Sequence, residues 1–155
     1  MAHAHAHHIP AADEAAARGF AREAAFFLGL VFIALGLLGF VPATVTDHET
    51  MGFAGPERPG LLFGLFAVSV LHNLMHLGFG LIGVVMSRAT ATAARLFLVG
   101  GGGLLMLFGA YGLVVADGSA ANFIPTNTAD DVLHLTFGAM MLLLEWVSGP
   151  PDLKD

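Results

Sequence analysis

The chain has no cysteine and few charged residues, and both absences narrow what it can be. Because none of the 155 residues is cysteine, disulfides, thiolate metal sites, iron–sulfur clusters and thiol catalysis are excluded. Charged residues make up 12% of the chain, about half the share of an average soluble domain. Lysine and arginine together number six and are scattered, too few for a nucleic-acid surface, so no nucleic-acid partner is expected.

Enzyme and targeting signatures are missing as well. The sequence contains no Ser-His-Asp set, phosphate-binding loop or dinucleotide fingerprint, so we do not expect an enzyme. Its polar N-terminal region lacks the basic segment, short apolar core and cleavage site of a secretory signal. The first apolar run, from about residue 24, is therefore interpreted as a retained membrane helix.

Long apolar runs are what the chain has in abundance. Hydrophobic residues make up 56% of it, and the mean hydropathy is +0.77. A helix needs about 20 predominantly apolar residues to cross a bilayer, and four stretches approach that length. They lie at about 24–41, 60–86, 96–116 and 130–147. The sequence therefore predicts an all-α four-helix transmembrane bundle in a lipid bilayer.

The predicted organisation is a four-span membrane domain, 24–148, between a polar N-terminal segment, 1–23, and a short C-terminal tail, 149–155. Alanine favours helices, so residues 11–23 are expected to form a short helix at the membrane surface. The N-terminal histidines fit either a native metal-scavenging segment or a purification tag. They are His3, His5, His7 and His8.

Basic residues are distributed unevenly between the two ends of the predicted spans. Arg58 alone falls on one side, and the other side carries Arg18, Arg22, Arg88, Arg95 and Lys154. Because basic residues concentrate in cytoplasmic segments, this asymmetry predicts that both termini are cytoplasmic and that the two acidic loops face outward.

A faint internal repeat runs through the spans. The sequence around His76 resembles the sequence around His134, and a glycine pair three residues apart occurs in both the first and third spans, at Gly36/Gly39 and Gly109/Gly112. Two parallel two-helix repeats would pack around an axis along the membrane normal and bring the matched histidines toward it. A chance match remains the alternative. The glycine run 100–103 weakens its helix, which is consistent with another subunit or a ligand against that face.

Histidine within apolar spans is costly and therefore marks a candidate site. His72 and His76 are four residues apart, on one helix face, as are Asp130 and His134. Together these four side chains could hold a divalent metal, with Asp130 either a ligand or an acceptor for the second N–H of His134. The predicted spans place His72 about twelve residues deep and His134 about one turn deep, so the depths agree only roughly.

Three other roles for the histidines stay open. A membrane histidine can be the axial ligand of a tetrapyrrole, either haem or chlorophyll, so His72, His76 and His134 are candidate cofactor ligands. They can also act only as hydrogen-bonding contacts between helices. Finally, with Asp130 they could line a path for protons or a small solute.

The two histidine motifs, LHNLMHLGFGLIG at 71–83 and NFIPTNTADDVLHL at 122–135, together with the intervening Arg88, Arg95 and Tyr111-Gly112, resemble an uncharacterised family. The family consists of small four-helix bacterial membrane proteins, frequent in actinobacteria, and its domain has no known function. The layout is also similar, more loosely, to DoxX-like proteins. The resemblance covers about residues 26–144 and implies topology and a bacterial cytoplasmic (inner) membrane location, without an activity.

Three functions are consistent with this sequence. The leading hypothesis is a non-catalytic accessory or structural subunit that packs against other membrane subunits, or against itself, through glycine-rich faces. The alternative is a metal- or tetrapyrrole-binding protein that uses His72, His76 and His134. The third is a component of small-solute or proton transport.

Overall fold

Four helices account for most of the chain in the computed structural model, which describes residues 11–148. They are α1 (Ala11–Leu38), α2 (Val70–Ala89), α3 (Ala91–Val114) and α4 (Thr128–Val147). The predicted all-α four-helix bundle is therefore confirmed. The N-terminal histidines, His3, His5, His7 and His8, and the predicted tail 149–155 lie outside the described residues.

Three of the described helices are long and apolar enough to cross a membrane: α1 from Ala15, α2 and α3. Large apolar side chains cover their outer surfaces, and Leu107 on α3 is 72% exposed. Such a surface fits lipid and not water. The protein is therefore a membrane protein. Helix α4 is not among these three and carries three acidic residues, Asp130, Asp131 and Glu145, so a fourth span stays a prediction.

The predicted span 60–86 is wrong in its first part. Residues Gly60–Leu62 form strand β2 and Phe66–Val68 form strand β3, which pair antiparallel, and β1 (Val45–Thr46) adds to the other edge of β2. The chain reverses between β2 and β3 at Gly64, whose φ of 69° favours glycine. Helix α2 begins only after this sheet.

The sheet is apolar because it caps one end of the bundle. Val45, Leu62 and Val68 are buried together, and Leu35 and Leu38 near the end of α1 pack against them. An apolar strand pair that directly precedes an apolar helix gives one uninterrupted hydrophobic run. That run explains why the sequence predicts a single long span here.

The other boundaries differ by smaller amounts. Helix α1 is continuous from Ala11, so residues 11–23 form its first turns and not a separate surface helix. Only Thr90 separates α2 from α3, because its side chain accepts from the main-chain N–H of Ala93 and starts α3 at once. The predicted connector 87–95 is therefore almost entirely helical.

Helix α1 packs on α2 in the same way that α3 packs on α4. A Cβ added to Gly29 would lie 2.7 Å from the carbonyl oxygen of Gly80, and one added to Gly102 would lie 3.0 Å from that of Gly138. Only glycine permits this close approach of two helix backbones. Both pairs of helices therefore meet at one glycine from each partner.

The same correspondence continues toward the sheet. Gly39 lies directly against the side chain of Asn73, as Gly112 lies against the side chain of Asp131. Gly39 of α1 and Gly112 of α3 belong to the glycine pairs that indicate the repeat in the sequence. The packing of the first half, α1 and α2, is thus repeated in the second half, α3 and α4. The shared core lies between the halves and includes Phe32, Leu98 and Met141.

Candidate functional site: a buried histidine cluster

The two matched histidines lie at the same depth in the bundle. His76 is the seventh residue of α2 and His134 is the seventh residue of α4. At 1.5 Å per residue, each lies about 9 Å from the start of its helix. His72 lies in the first turn of α2 and not twelve residues into a span, because β2 and β3 occupy the residues that were assigned to that span. The expected mismatch in depth is therefore wrong.

His72, His76 and His134 converge to form what we call the histidine cluster. One ring nitrogen from each lies within 4.8 Å of the others. The ring centroids are 4.5 Å apart for His72 and His76, and 5.7 Å apart for His72 and His134. His72 is 2% exposed and His134 is 6% exposed, so the cluster is shielded from solvent.

Each histidine of the cluster presents a buried ring nitrogen with no hydrogen-bond partner among residues 11–148. These atoms are Nε2 of His72, Nδ1 of His76 and Nδ1 of His134. Leaving one buried polar atom unsatisfied costs about 1–3 kcal/mol. Three such atoms in one cluster are therefore the candidate donors to a bound group.

The second nitrogen of His72 identifies which atom is available. Nδ1 of His72 lies 3.2 Å from the carbonyl oxygen of Pro125. A carbonyl can only accept, so Nδ1 carries the proton and donates it, which leaves a lone pair on Nε2. A carbonyl that fixes the outer ring nitrogen is the usual arrangement around a metal-bound histidine.

Asn122 positions the carbonyl of Pro125. Its side chain is buried, donates to the carbonyl oxygens of Asp117 and Thr126, and accepts from the N–H of Thr126. These bonds fold residues 117–126 into an ordered turn over the cluster. Asparagine and proline favour turns, but no local pattern signals the contact of this turn with His72.

Asp130 does not join the histidine cluster. Its Oδ2 accepts from the N–H of Ala67 at 2.7 Å and from the N–H of Asn127 at 3.0 Å. Asn127 in turn caps α4, so the capping box is formed by Asn127 and Asp130. Asp130 links the start of α4 to β3.

A small cavity adjoins the histidine cluster. It has a volume of about 110 Å³ and extends between α2 and α3, where Met75 and Leu104 form its outer part. The ring of Phe108 stands edge-on to that of His134, with 4.9 Å between the ring centroids. The ring centroids of Phe32 and His76 are 5.7 Å apart. The sequence does not single out these two phenylalanines, because apolar residues in a span all look alike.

The chemistry of the site follows from its composition. Three neutral imidazoles supply three lone pairs and no negative charge, inside walls that are otherwise apolar. Imidazole is a common ligand for zinc, copper, iron and nickel. The cluster can therefore hold one transition-metal ion through three protein ligands, with a further position open toward the cavity.

Residues 22–147 match the family model described as a domain of unknown function, DUF4383. The match spans the greater part of α1, the whole of α2, α3 and α4, and the whole histidine cluster. No curated protein and no solved structure matches the chain.

Proposed function

Because the chain belongs to the DUF4383 family, whose description carries no activity, we propose a function from the site itself: a membrane protein that binds a divalent transition metal through His72, His76 and His134. One observation carries the proposal. One ring nitrogen from each histidine lies within 4.8 Å of the other two. Each histidine also has a buried ring nitrogen without a hydrogen-bond partner among the described residues.

The separation of these nitrogens is slightly wider than a bound metal requires. Nitrogen ligands lie about 2.0–2.1 Å from zinc, so binding would draw the three rings closer together. His76 is only half-buried, and its ring contacts the cavity. A small rotation of that side chain is therefore the simplest way to close the site.

The size of the cavity favours an ion over a tetrapyrrole. A cavity of roughly 150 Å³ holds one benzene molecule. The cavity beside His76 and His134, at about 110 Å³, has room for a metal with a small fourth ligand. A haem or chlorophyll ring would have to lie outside it.

The test is metal content after purification in detergent. His3, His5, His7 and His8 are first replaced with alanine, so that the N-terminal histidines cannot contribute. In this background we expect about one zinc or cobalt ion per chain, with cobalt giving the visible bands of a low-symmetry nitrogen site. His76→Leu and His134→Leu should abolish both the bound ion and the cobalt absorption bands.

His48 provides the matched control. Its Nε2 lies 3.1 Å from the carbonyl oxygen of Phe40. His48 is not part of the histidine cluster. His48→Gln should keep full metal content. The proposal fails if the background chain holds no metal after dialysis against zinc or cobalt, or if His48→Gln loses as much as His76→Leu. A visible absorption band without added metal would indicate a tetrapyrrole instead.

A second candidate function, an accessory subunit of a larger membrane complex, is favoured by the glycines of α3. Gly101 and Gly102 pack inside the bundle, whereas a Cβ added to Gly100 or Gly103 would meet nothing within 4 Å. An open glycine face on a membrane helix suits close contact with another helix. Gly100→Leu should then abolish cross-linking to a neighbour in native membranes, while Gly78→Leu on another open face of the bundle should not. Unchanged cross-linking in Gly100→Leu would exclude this face.

We also propose that both termini lie in the cytoplasm of a bacterial inner membrane. The support is the position of Arg18, Arg22, Arg88 and Arg95 at one end of the bundle. Reporter fusions test this orientation: a fusion before α1 should be active only in a cytoplasmic reporter. An insertion at Glu57, in the segment between α1 and α2, should be active only in a periplasmic one.

A further inference from the structure

The end of the bundle opposite the sheet carries two adjoining surface pockets. Both are lined by Gly19 and Arg22 of α1, and their volumes are about 310 and 450 Å³. Arg88 at the end of α2 lines the first and Arg18 lines the second. We call the two together the arginine pocket. It gathers three of the six basic residues of the chain.

Two arginines of this pocket, Arg22 and Arg88, contact neutral groups. Arg22 donates from Nε to the carbonyl oxygen of Ser87 at 2.9 Å and from its terminal nitrogen to that of Arg88 at 3.3 Å. The Arg88 guanidinium lies over the ring of Phe26, 4.4 Å from its centroid. Neither contact neutralises the positive charge, because the partners are carbonyls and an aromatic face. Glu23 is the acidic residue among those that line the pocket.

The arginine of the second half that is equivalent to Arg22 has a different kind of partner. Arg22 stands seven residues before Gly29, and Arg95 stands seven before Gly102. Arg95 is bound to the carboxylate of Glu145 at 2.7 Å, whereas the residue equivalent to Glu145 in the first half is Ser87. The positive charge is thus compensated in one half and left on the surface in the other.

The pocket lies at the depth of lipid headgroups. Helix α2 has 20 residues and is about 30 Å long, which equals the thickness of a typical hydrocarbon core. Arg88, in its last turn, is therefore at the edge of the hydrocarbon. The first turn of α3 also borders the pocket at Ala91 and adds the partial positive charge of a helix N-terminus.

We propose that the arginine pocket binds the phosphate of an anionic phospholipid headgroup. Charge, depth and shape all match this ligand: guanidinium groups bind phosphate through paired hydrogen bonds, and Phe26 offers apolar surface to the adjoining acyl chain. The proposal is independent of the histidine cluster, which lies at the other end of the helices.

Gly19 allows a steric test that spares the fold. A Cβ added there would meet nothing within 4 Å, and leucine is a better helix former than glycine. Gly19→Leu should therefore fold normally while filling both parts of the pocket. Gly78→Leu is the control, because it also points into open space but lies far from the arginines. Arg88→Gln removes charge and keeps much of the side-chain volume.

The experiment measures which lipids stay bound after purification from vesicles of equal parts phosphatidylglycerol and phosphatidylcholine. We expect the wild-type chain and Gly78→Leu to retain more phosphatidylglycerol than phosphatidylcholine. In Arg88→Gln this enrichment should fall about fivefold, and in Gly19→Leu it should fall at least as much. Equal retention of both lipids by the wild type would overturn the proposal. So would full enrichment in Gly19→Leu, or displacement of phosphatidylglycerol by millimolar inorganic phosphate, which would indicate a site for free anions.

Discussion

The two halves of the molecule share a backbone frame but differ in the polar residues that line it. Gly80 and Gly138 take equivalent places, as do His76 and His134, each one turn earlier. Yet the position that is His72 in the first half is Asp130 in the second. The comparison shows that the glycines and two histidines define the common frame, and that the third histidine is what makes a three-ligand cluster possible.

The differing residues still perform matched tasks across the interface between the halves. His72 donates from α2 to the carbonyl of Pro125 in the second half, while Asp130 of α4 accepts from the N–H of Ala67 in the first half. Each side chain therefore reaches the segment that precedes the opposite helix, which is strand β3 before α2 and the turn before α4. His72 donates and Asp130 accepts at equivalent positions because the backbone group opposite His72 is a carbonyl, whereas the one opposite Asp130 is an N–H.

The largest effect is expected from the shared glycines. A Cβ at Gly80 would lie 2.5 Å from the carbonyl oxygen of Gly29, and one at Gly138 would lie 2.8 Å from that of Gly102. Each substitution to alanine should destabilise the protein by about 1–3 kcal/mol, since helix backbones must separate. Thermal unfolding in detergent measures this. Gly78→Ala, with open space, should change little, and a clear difference between Gly80→Ala and Gly138→Ala would show that the two halves are not equivalent.

The next effect tests the matched side chains. Asp130→Ala leaves the buried N–H of Ala67 without its acceptor and removes one part of the cap on α4, so we expect a loss of about 2 kcal/mol. Ser69, which caps α2 by accepting from the N–H of His72, is the first-half comparison. Ser69→Ala should cost about 1 kcal/mol, as a simple cap does. Chemical denaturation of both variants distinguishes these values; equal losses would mean that the contact to Ala67 adds nothing.

A third prediction separates stability from binding in the histidine cluster. Without metal, His76→Leu removes one unsatisfied buried nitrogen, so the apo variant should be as stable as the wild type or up to about 1 kcal/mol more stable. With metal at about 100 times its Kd, the wild type alone should gain about 2.7 kcal/mol. Melting curves with and without zinc show whether the order of stability reverses. If zinc also stabilises His76→Leu, the ion binds elsewhere.

The smallest effect concerns the charge pair of the second half. Glu145→Gln breaks the contact with Arg95, which is partly buried, and should cost about 0.5–1 kcal/mol. Ser87→Ala, at the equivalent buried place, introduces no change in charge and no added volume and serves as the comparison. A loss above 2 kcal/mol for Glu145→Gln would mean that this pair anchors the half in a way that the first half does not require.

Much of the fold is predictable because apolar runs of membrane-spanning length leave few alternatives. The equivalence of His76 and His134 is also visible in the sequence, since the residues around them repeat. What the sequence conceals is the sheet, because Gly60–Val68 is as apolar as the helix that follows. Because the sheet is read as part of the second span, the predicted depth of His72 is too large. The histidines therefore look less well matched in depth than they are.

The histidines of the candidate site are predictable from the sequence, and their surroundings are not. His72, His76 and His134 were identified because polar rings are rare in apolar spans. The contact of Asp130 with Ala67 joins residues 63 positions apart, and no local pattern signals such a contact. Asp130 therefore resembles a metal ligand by its spacing to His134, although its carboxylate is engaged by two backbone groups.

The single residue between α2 and α3 has a consequence for how an ion would act. Thr90 ties the halves together at the arginine end, while at the sheet end they are joined only by non-covalent contacts, among them Asn127 to Leu65 and Gly55 to Phe123. The histidine cluster draws two ligands from one half and one from the other. An ion seated there would add one more link between the halves at the end where no covalent connection joins them, beside the hydrogen bonds that already hold that end.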